Sequence, residues 1–243
     1  MRAPDVNHRR QPLGVPCVAA VLTAQLQPLG ECEAGELQAA RGAGAKADEA
    51  DGVISEAAAR AACRDAAAGL ARVLGVGLER AERALSAAGA VVLRTRPRPA
   101  AALDGDGGGD GTDFSGRNPP YLSQRCAAWL SAHFPSARHL VVELPSVDRE
   151  DDGGVLLAHR AWFGLPPRDR GTDGVAARLS ADRAEECAAL ATCEGRTITE
   201  LAVLPDECLL GDGAAVLALQ VAPIDMDAAP SAPLLWPLLA AAR

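Results

Sequence analysis

Residues 123–144 read SQRCAAWLSAHFPSARHLVVEL, and the change of hydrophobic period inside this stretch decides the fold class. From Ser123 to His133 the apolar side chains Cys126, Trp129 and Leu130 fall three and four apart, a spacing that lays one stripe along a helix. From Arg138 to Leu144 the apolar run is short and β-branched, and Pro145 halts it, so it reads as a strand. Upstream, Ala90-Val-Val-Leu-Arg-Thr95 is a strand of the same kind. Strand, helix, strand in that order predicts an α/β protein whose sheet strands are joined by crossover helices.

The pattern extends outward on both sides. Cys17 to Ala24, bounded by Pro16 and Pro28, reads as a buried strand. Residues 25–51 are rich in Gly, Ala and Glu without period, so a flexible loop is expected over 30–51. Ser55 to Leu74 opens on a serine cap and predicts a helix with a possible break at Gly69, and Leu78 to Ala88 predicts a second helix ended by Gly89. Leu156 to Phe163 predicts a short helix carrying His159.

Two strands, Thr197 to Leu204 and Ala214 to Ala222, are expected to form a hairpin around the Pro205 to Gly213 turn. The tail after Asp225, with Pro230, Pro233 and Pro237, is expected to be extended. Loops are expected at 97–113, and an insert at 164–196 with a helix of its own at 181–192. All of this fits one domain over residues 1–243, with no internal repeat.

Composition narrows the function classes. A net charge of −8, with arginines scattered among acids, argues against a nucleic-acid partner, which needs a clustered basic face. No apolar run reaches the roughly 18 residues of a membrane span, and Met1 to Arg10 lacks an apolar signal segment, so a cytoplasmic protein without a membrane partner is expected. The seven cysteines are an odd number without a Cys-x-x-Cys pair, which disfavours both a disulfide framework and a thiolate zinc site. Alanine occurs 52 times against a single lysine, a skew of codon composition that assigns no chemistry to the alanine runs.

Asp104 to Gly111 (DGDGGGDG) alternates acids with glycines, but the twelfth position counted from Asp104 is Ser115 rather than the glutamate a calcium loop requires. A serine nucleophile has no Gly-x-Ser-x-Gly elbow to sit on. The four histidines are His8, His133, His139 and His159. His133 closes a helix, where its charge suits the dipole, and His139 opens a strand, so both read as structural. His159 follows the acidic turn from Ser146 to Asp152, and Glu200 is a carboxylate inside an apolar strand. Such a glutamate faces solvent, pairs, or binds a metal.

Five segments in order carry a family resemblance: Phe114-Ser-Gly-Arg-Asn-Pro-Pro-Tyr-Leu122, Leu140-Val-Val-Glu-Leu-Pro-Ser-Val-Asp-Arg-Glu150, Leu156-Leu-Ala-His-Arg160, Thr197-Ile-Thr-Glu-Leu-Ala202 and Leu219-Gln-Val-Ala222. Together they resemble the C-terminal half of the cyclase family of metal-dependent hydrolases, which includes bacterial kynurenine formamidase and isatin hydrolase. The likeness runs from about Gly89 to Pro237 and more faintly back to Cys17.

The resemblance implies a cyclase-like swivelling β/β/α domain, a homodimer or larger homo-oligomer, and a zinc or manganese ion. The implied reaction is hydrolysis of a small-molecule amide, such as N-formylkynurenine to kynurenine and formate in tryptophan catabolism. It also implies His159 and Glu200 as metal ligands, with Asp148 in a structural role. The family's His-x-x-Thr-His-x-Asp segment belongs upstream of the strand at Cys17, so an N-terminally truncated member is expected. His8, in Val-Asn-His-Arg-Arg, has no Thr-His partner and takes no role. The alternative is a pseudoenzyme that keeps the scaffold as an oligomerising or ligand-binding module.

Overall fold

The computed structural model describes residues 15–42, 47–97, 114, 116–165, 195–222 and 229–238. In chain order its elements are β1 (Cys17–Gln25), β2 (Gln27–Pro28), α1 (Ala34–Gly42), β3 (Gly52–Ile54), α2 (Glu56–Leu74), α3 (Leu78–Ser86) and β4 (Ala90–Arg96). There follow β5 (Tyr121–Leu122), α4 (Gln124–His133), β6 (His139–Val142), α5 (Leu157–Trp162), β7 (Thr197–Thr199), β8 (Gly213–Val221) and β9 (Ser231–Pro237).

Six strands form a mixed sheet in the order β7-β6-β4-β1-β8-β9. The four from β1 to β7 are parallel, and each step of the chain moves one place further in the same direction across the sheet. Right-handed crossovers that never reverse direction keep their helices on one face. Accordingly one core joins Ala20 and Leu22 of β1, Val91 and Leu93 of β4, and Leu140 and Val142 of β6 to the helices α2, α3, α4 and α5. The alternate residues Ala19, Val21, Ala90, Val92 and Val141 point to the opposite face, where Ala202, Leu204 and Leu210 cover them. Strands buried on both sides read as unbroken apolar runs, which is why these segments were visible in the sequence.

Local chemistry accounts for the helix ends. Ser55 and Ser123 cap α2 and α4 through side-chain oxygens that accept from Ala58 N–H and Cys126 N–H. Gly69 causes no break: α2 continues to Leu74 and stops at Gly75, whose φ of 64° gives the left-handed cap glycine takes freely. The buried face of α2 is almost wholly alanine, with Cys63 and Leu70. So the alanine runs have a packing role here, letting a helix lie close to the sheet.

Three of these sequence expectations are corrected. Residues 30–51 are not a featureless loop, since they carry α1, which packs on α4. The strand expected from Thr197 to Leu204 ends at Thr199. The expected hairpin with β8 does not form, because β7 pairs with β6 at one edge whereas β8 pairs with β1 and β9. A left-handed turn at Leu201 (φ 54°) sends residues 202–210 across the second face of the sheet instead. The proline-bearing tail is extended as expected, and it joins the sheet as edge strand β9, where missing N–H groups are tolerated. The DGDGGGDG loop, the helix expected at 181–192 and His8 lie outside the described residues.

A second, three-stranded sheet, β2-β3-β5, stands beside the first. Its small core of Leu29, Ala47, Val53 and Tyr121 ties the segment around α1 to the strand that precedes α4.

Candidate functional site

The parallel strands deliver their carboxyl ends to one edge of the sheet, the place where open α/β sheets present ligand-binding groups. β6 runs into the segment from Glu143 to Asp152, and β7 delivers Glu200 directly beyond Thr199. Because β6 and β7 are parallel neighbours, Glu200 emerges beside that segment, and its Oε1 accepts from Val147 N–H at 2.7 Å.

His159 reaches the same place from α5. Its helix begins just after Leu156, the cap residue with a φ of 54°, and the buried carboxylate of Asp148 caps the first turn by accepting from Ala158 N–H at 2.6 Å and His159 N–H at 3.3 Å. The same carboxylate holds the ring, with Oδ2 2.6 Å from Nδ1. The other ring nitrogen, Nε2, lies 3.7 Å from Glu200 Oε1. The two residues singled out in the sequence, 41 positions apart, are thus neighbours on one side of the sheet. The leucines on either side of the site, Leu156 and Leu201, both occupy the left-handed region that branched side chains avoid, and such strain collects at functional sites.

Electrostatics at the histidine are set by competing effects. Burial favours the neutral ring, but the hydrogen bond and charge of Asp148, joined by Glu200 and Asp152, outweigh it and raise His159 above its ordinary value. A carboxylate on Nδ1 also fixes the neutral tautomer, placing the proton on Nδ1 and the lone pair on Nε2.

The two other described histidines lie elsewhere. His133 stacks on Trp129, contacts Cys63 Sγ at 3.5 Å, and is lowered by burial and by the charge of Arg60. His139 pairs with Thr197 Oγ1 at 2.8 Å and is lowered by burial and by Arg138.

A metal ion has a partial set of donors here. Zinc lies about 2.1 Å from each donor, so two donors of one ion stand up to roughly 4 Å apart, and the 3.7 Å between His159 Nε2 and Glu200 Oε1 falls within that span. The carboxylate on Nδ1 is the support a metal-bound histidine receives in general. Among the described residues, no group of three or more His, Cys, Asp or Glu side chains is placed to hold a metal ion. His159 and Glu200 therefore fit two positions of a coordination shell, whereas a catalytic zinc takes three protein ligands and a water.

Sequence reasoning missed one residue that shapes the site. Asp51, buried ahead of β3, accepts from Tyr121 OH at 3.1 Å, from Arg149 Nε at 2.7 Å and from Asn118 Nδ2. Burial works to raise its carboxyl, but the hydrogen bonds from Arg149, Asp48 N–H and Asn118 prevail and hold it below the usual aspartate value. Arg149 is the residue after Asp148, so this hub pins the turn that carries the histidine's partner. Only the motif Asp51-Gly52 before an apolar pair hinted at a turn, and nothing local pointed to partners 67 to 98 residues away.

No protein-family model, curated protein or solved structure matches this chain.

Proposed function

We propose that the chain carries part of the active site of a metal-dependent hydrolase acting on a small-molecule amide, of the kynurenine formamidase type, on a cyclase-like swivelling β/β/α scaffold in the cytoplasm. The observation that supports it is the meeting of His159 Nε2 and Glu200 Oε1 at 3.7 Å beside a carboxylate-buttressed Nδ1. His159 and Glu200 would hold zinc or manganese, and the ion would supply hydroxide near neutral pH by lowering the pKa of its water. In this chain Asp148 keeps the His159 lone pair on Nε2, and Val147 N–H orients the Glu200 carboxylate. Self-association, as a homodimer or larger, is part of the proposal, supported by the exposed apolar side chains Val203, Leu209 and Trp236.

The pseudoenzyme alternative, an oligomerising or ligand-binding scaffold, is favoured by one observation, the lack of a third clustered ligand among the described residues. Equilibrium dialysis against zinc and manganese, together with a formate assay on N-formylkynurenine, separates the two. The hydrolase proposal expects bound metal and formate release, both reduced tenfold or more in His159→Ala and Glu200→Gln variants that keep the parent's circular dichroism. Metal content and formate at background, unchanged by either substitution, would establish the scaffold alternative.

A further inference from the structure

The edge of a sheet presents a row of unpaired backbone groups to which another chain can add a strand. Among the described residues three of the four sheet edges are short, since β7 has three residues and β2 and β5 have two each. The fourth edge, β9, has seven residues, Ser231–Pro237, reading SAPLLWP. It carries no charged side chain, and Leu234 and Trp236 are 40 % and 49 % exposed. The chain's single lysine, the residue type most used to blunt an edge, lies elsewhere at position 46. A long, apolar, uncharged edge strand is a site for association between copies unless something closes it.

The register shows what closes it. At one end of the β8–β9 ladder Ala222 N–H donates to Pro230 O at 2.9 Å, and at the other Leu238 N–H donates to Ala214 O at 3.4 Å. Between them Val216 stands opposite Trp236, Ala218 opposite Leu234 and Gln220 opposite Ala232. Antiparallel bonding alternates along the strand, so the even-numbered residues of β9 bond to β8 and residues 231, 233, 235 and 237 turn their backbone groups outward. Pro233 and Pro237 occupy two of these four outward positions, so Ser231 and Leu235 alone present an outward N–H. Neither proline removes a bond to β8, whereas both remove a donor that an incoming strand would need.

We propose that Pro233 and Pro237 close the β9 edge to strand addition, so that a second copy of the chain does not continue the sheet through β9 and copies associate only through other surfaces. The closure does not depend on what His159 and Glu200 hold.

Replacing both prolines tests this. Pro233→Thr/Pro237→Thr restores both outward donors and leaves the bonds to β8 in place. Two such chains meeting edge to edge regain up to four bonds, and at about fivefold per bond their association strengthens by roughly a hundredfold or more. Analytical ultracentrifugation of the wild type and the variant at equal concentration reads the result as mass. The double variant has at least twice the mass of the wild type and keeps its helical circular dichroism. Ala232→Thr, which adds the same residue type where the N–H already faces β8, keeps the wild-type mass. Pro237→Thr alone, at the exposed end of the strand, gives a smaller rise and carries the test where the double variant does not fold. Wild-type mass in the folded double variant, or in Pro237→Thr where that variant stands in for it, would overturn the proposal. So would assembly of Ala232→Thr to the same extent as the double variant, or assembly that comes only with loss of the helical signal.

Discussion

Asp148→Asn removes the charge that organises the candidate site while keeping the size of the side chain. The carboxylate accepts three hydrogen bonds, two from backbone N–H groups of α5 and one from the His159 ring at 2.6 Å. In the variant an amide oxygen still serves a backbone N–H, but an NH₂ group replaces an acceptor, so a donor is lost or faces a donor. Asp148 is buried, and a hydrogen bond between charged partners there contributes about 1.5–3 kcal/mol. With weakening of the backbone bonds, the variant is destabilised by about 2–4 kcal/mol at pH 5.5.

The loss has a definite pH dependence. The folded His159 has a raised pKa, so its protonation stabilises the fold fully below its ordinary value of about 6.5, and this contribution fades as pH rises through the higher folded value. The gap between wild type and variant is therefore larger at pH 5.5 than at pH 8.5, where only the bonds to a neutral ring and to the backbone remain. Urea unfolding at both values, with His159→Gln and the double variant completing a cycle, measures it. A gap equal at the two pH values, or additivity within about 0.5 kcal/mol, would refute the assignment of His159 and Asp148 as a coupled charge pair.

Three further outcomes follow from the structure. Asp51→Ala, which strands Arg149 and the buried Tyr121 hydroxyl, lowers stability by about 3–5 kcal/mol in denaturant melts. Because the folded Asp51 carboxyl lies below its ordinary value, its contribution is present above about pH 3.9 and is lost on further acidification, so the gap closes in acid titrations followed by circular dichroism. Ser55→Ala and Ser123→Ala each cost about 1 kcal/mol by the same melts, through loss of a helix cap. In thiol labelling followed by peptide mass spectrometry, exposed Cys208 reacts in the native protein. Cys63, pushed up to about 11 by burial, and the fully buried Cys126 react only on unfolding.

Much of the secondary structure was legible in the chain, for reasons specific to its segments. β1, β4 and β6 are apolar runs buried on both faces over most of their length, β8 is an apolar run buried mainly on one, and the serines at 55 and 123 announce helices that begin within a residue of them. α1 was not legible, because Ala34–Gly42 has no stripe of large apolar residues and gains its order from packing on α4. The place of β8 was not legible either. A strand after a turn usually pairs with its predecessor, whereas this chain turns through the left-handed region at Leu201 (φ 54°) and crosses the sheet before β8.

The site divides along the same line. Residue type and context alone marked His159 as an imidazole behind an acidic turn and Glu200 as an acid in an apolar strand, since ionisable groups in apolar surroundings require a partner wherever they occur. Their approach to 3.7 Å, the grip of Asp148 on Nδ1 and the Asp51 hub arise only when β6 and β7 lie parallel and α1 closes on α4. Periodicity is written by neighbours a few positions apart. Distances between groups 40 to 100 residues apart are set by the packing of whole elements, which no short stretch of sequence records.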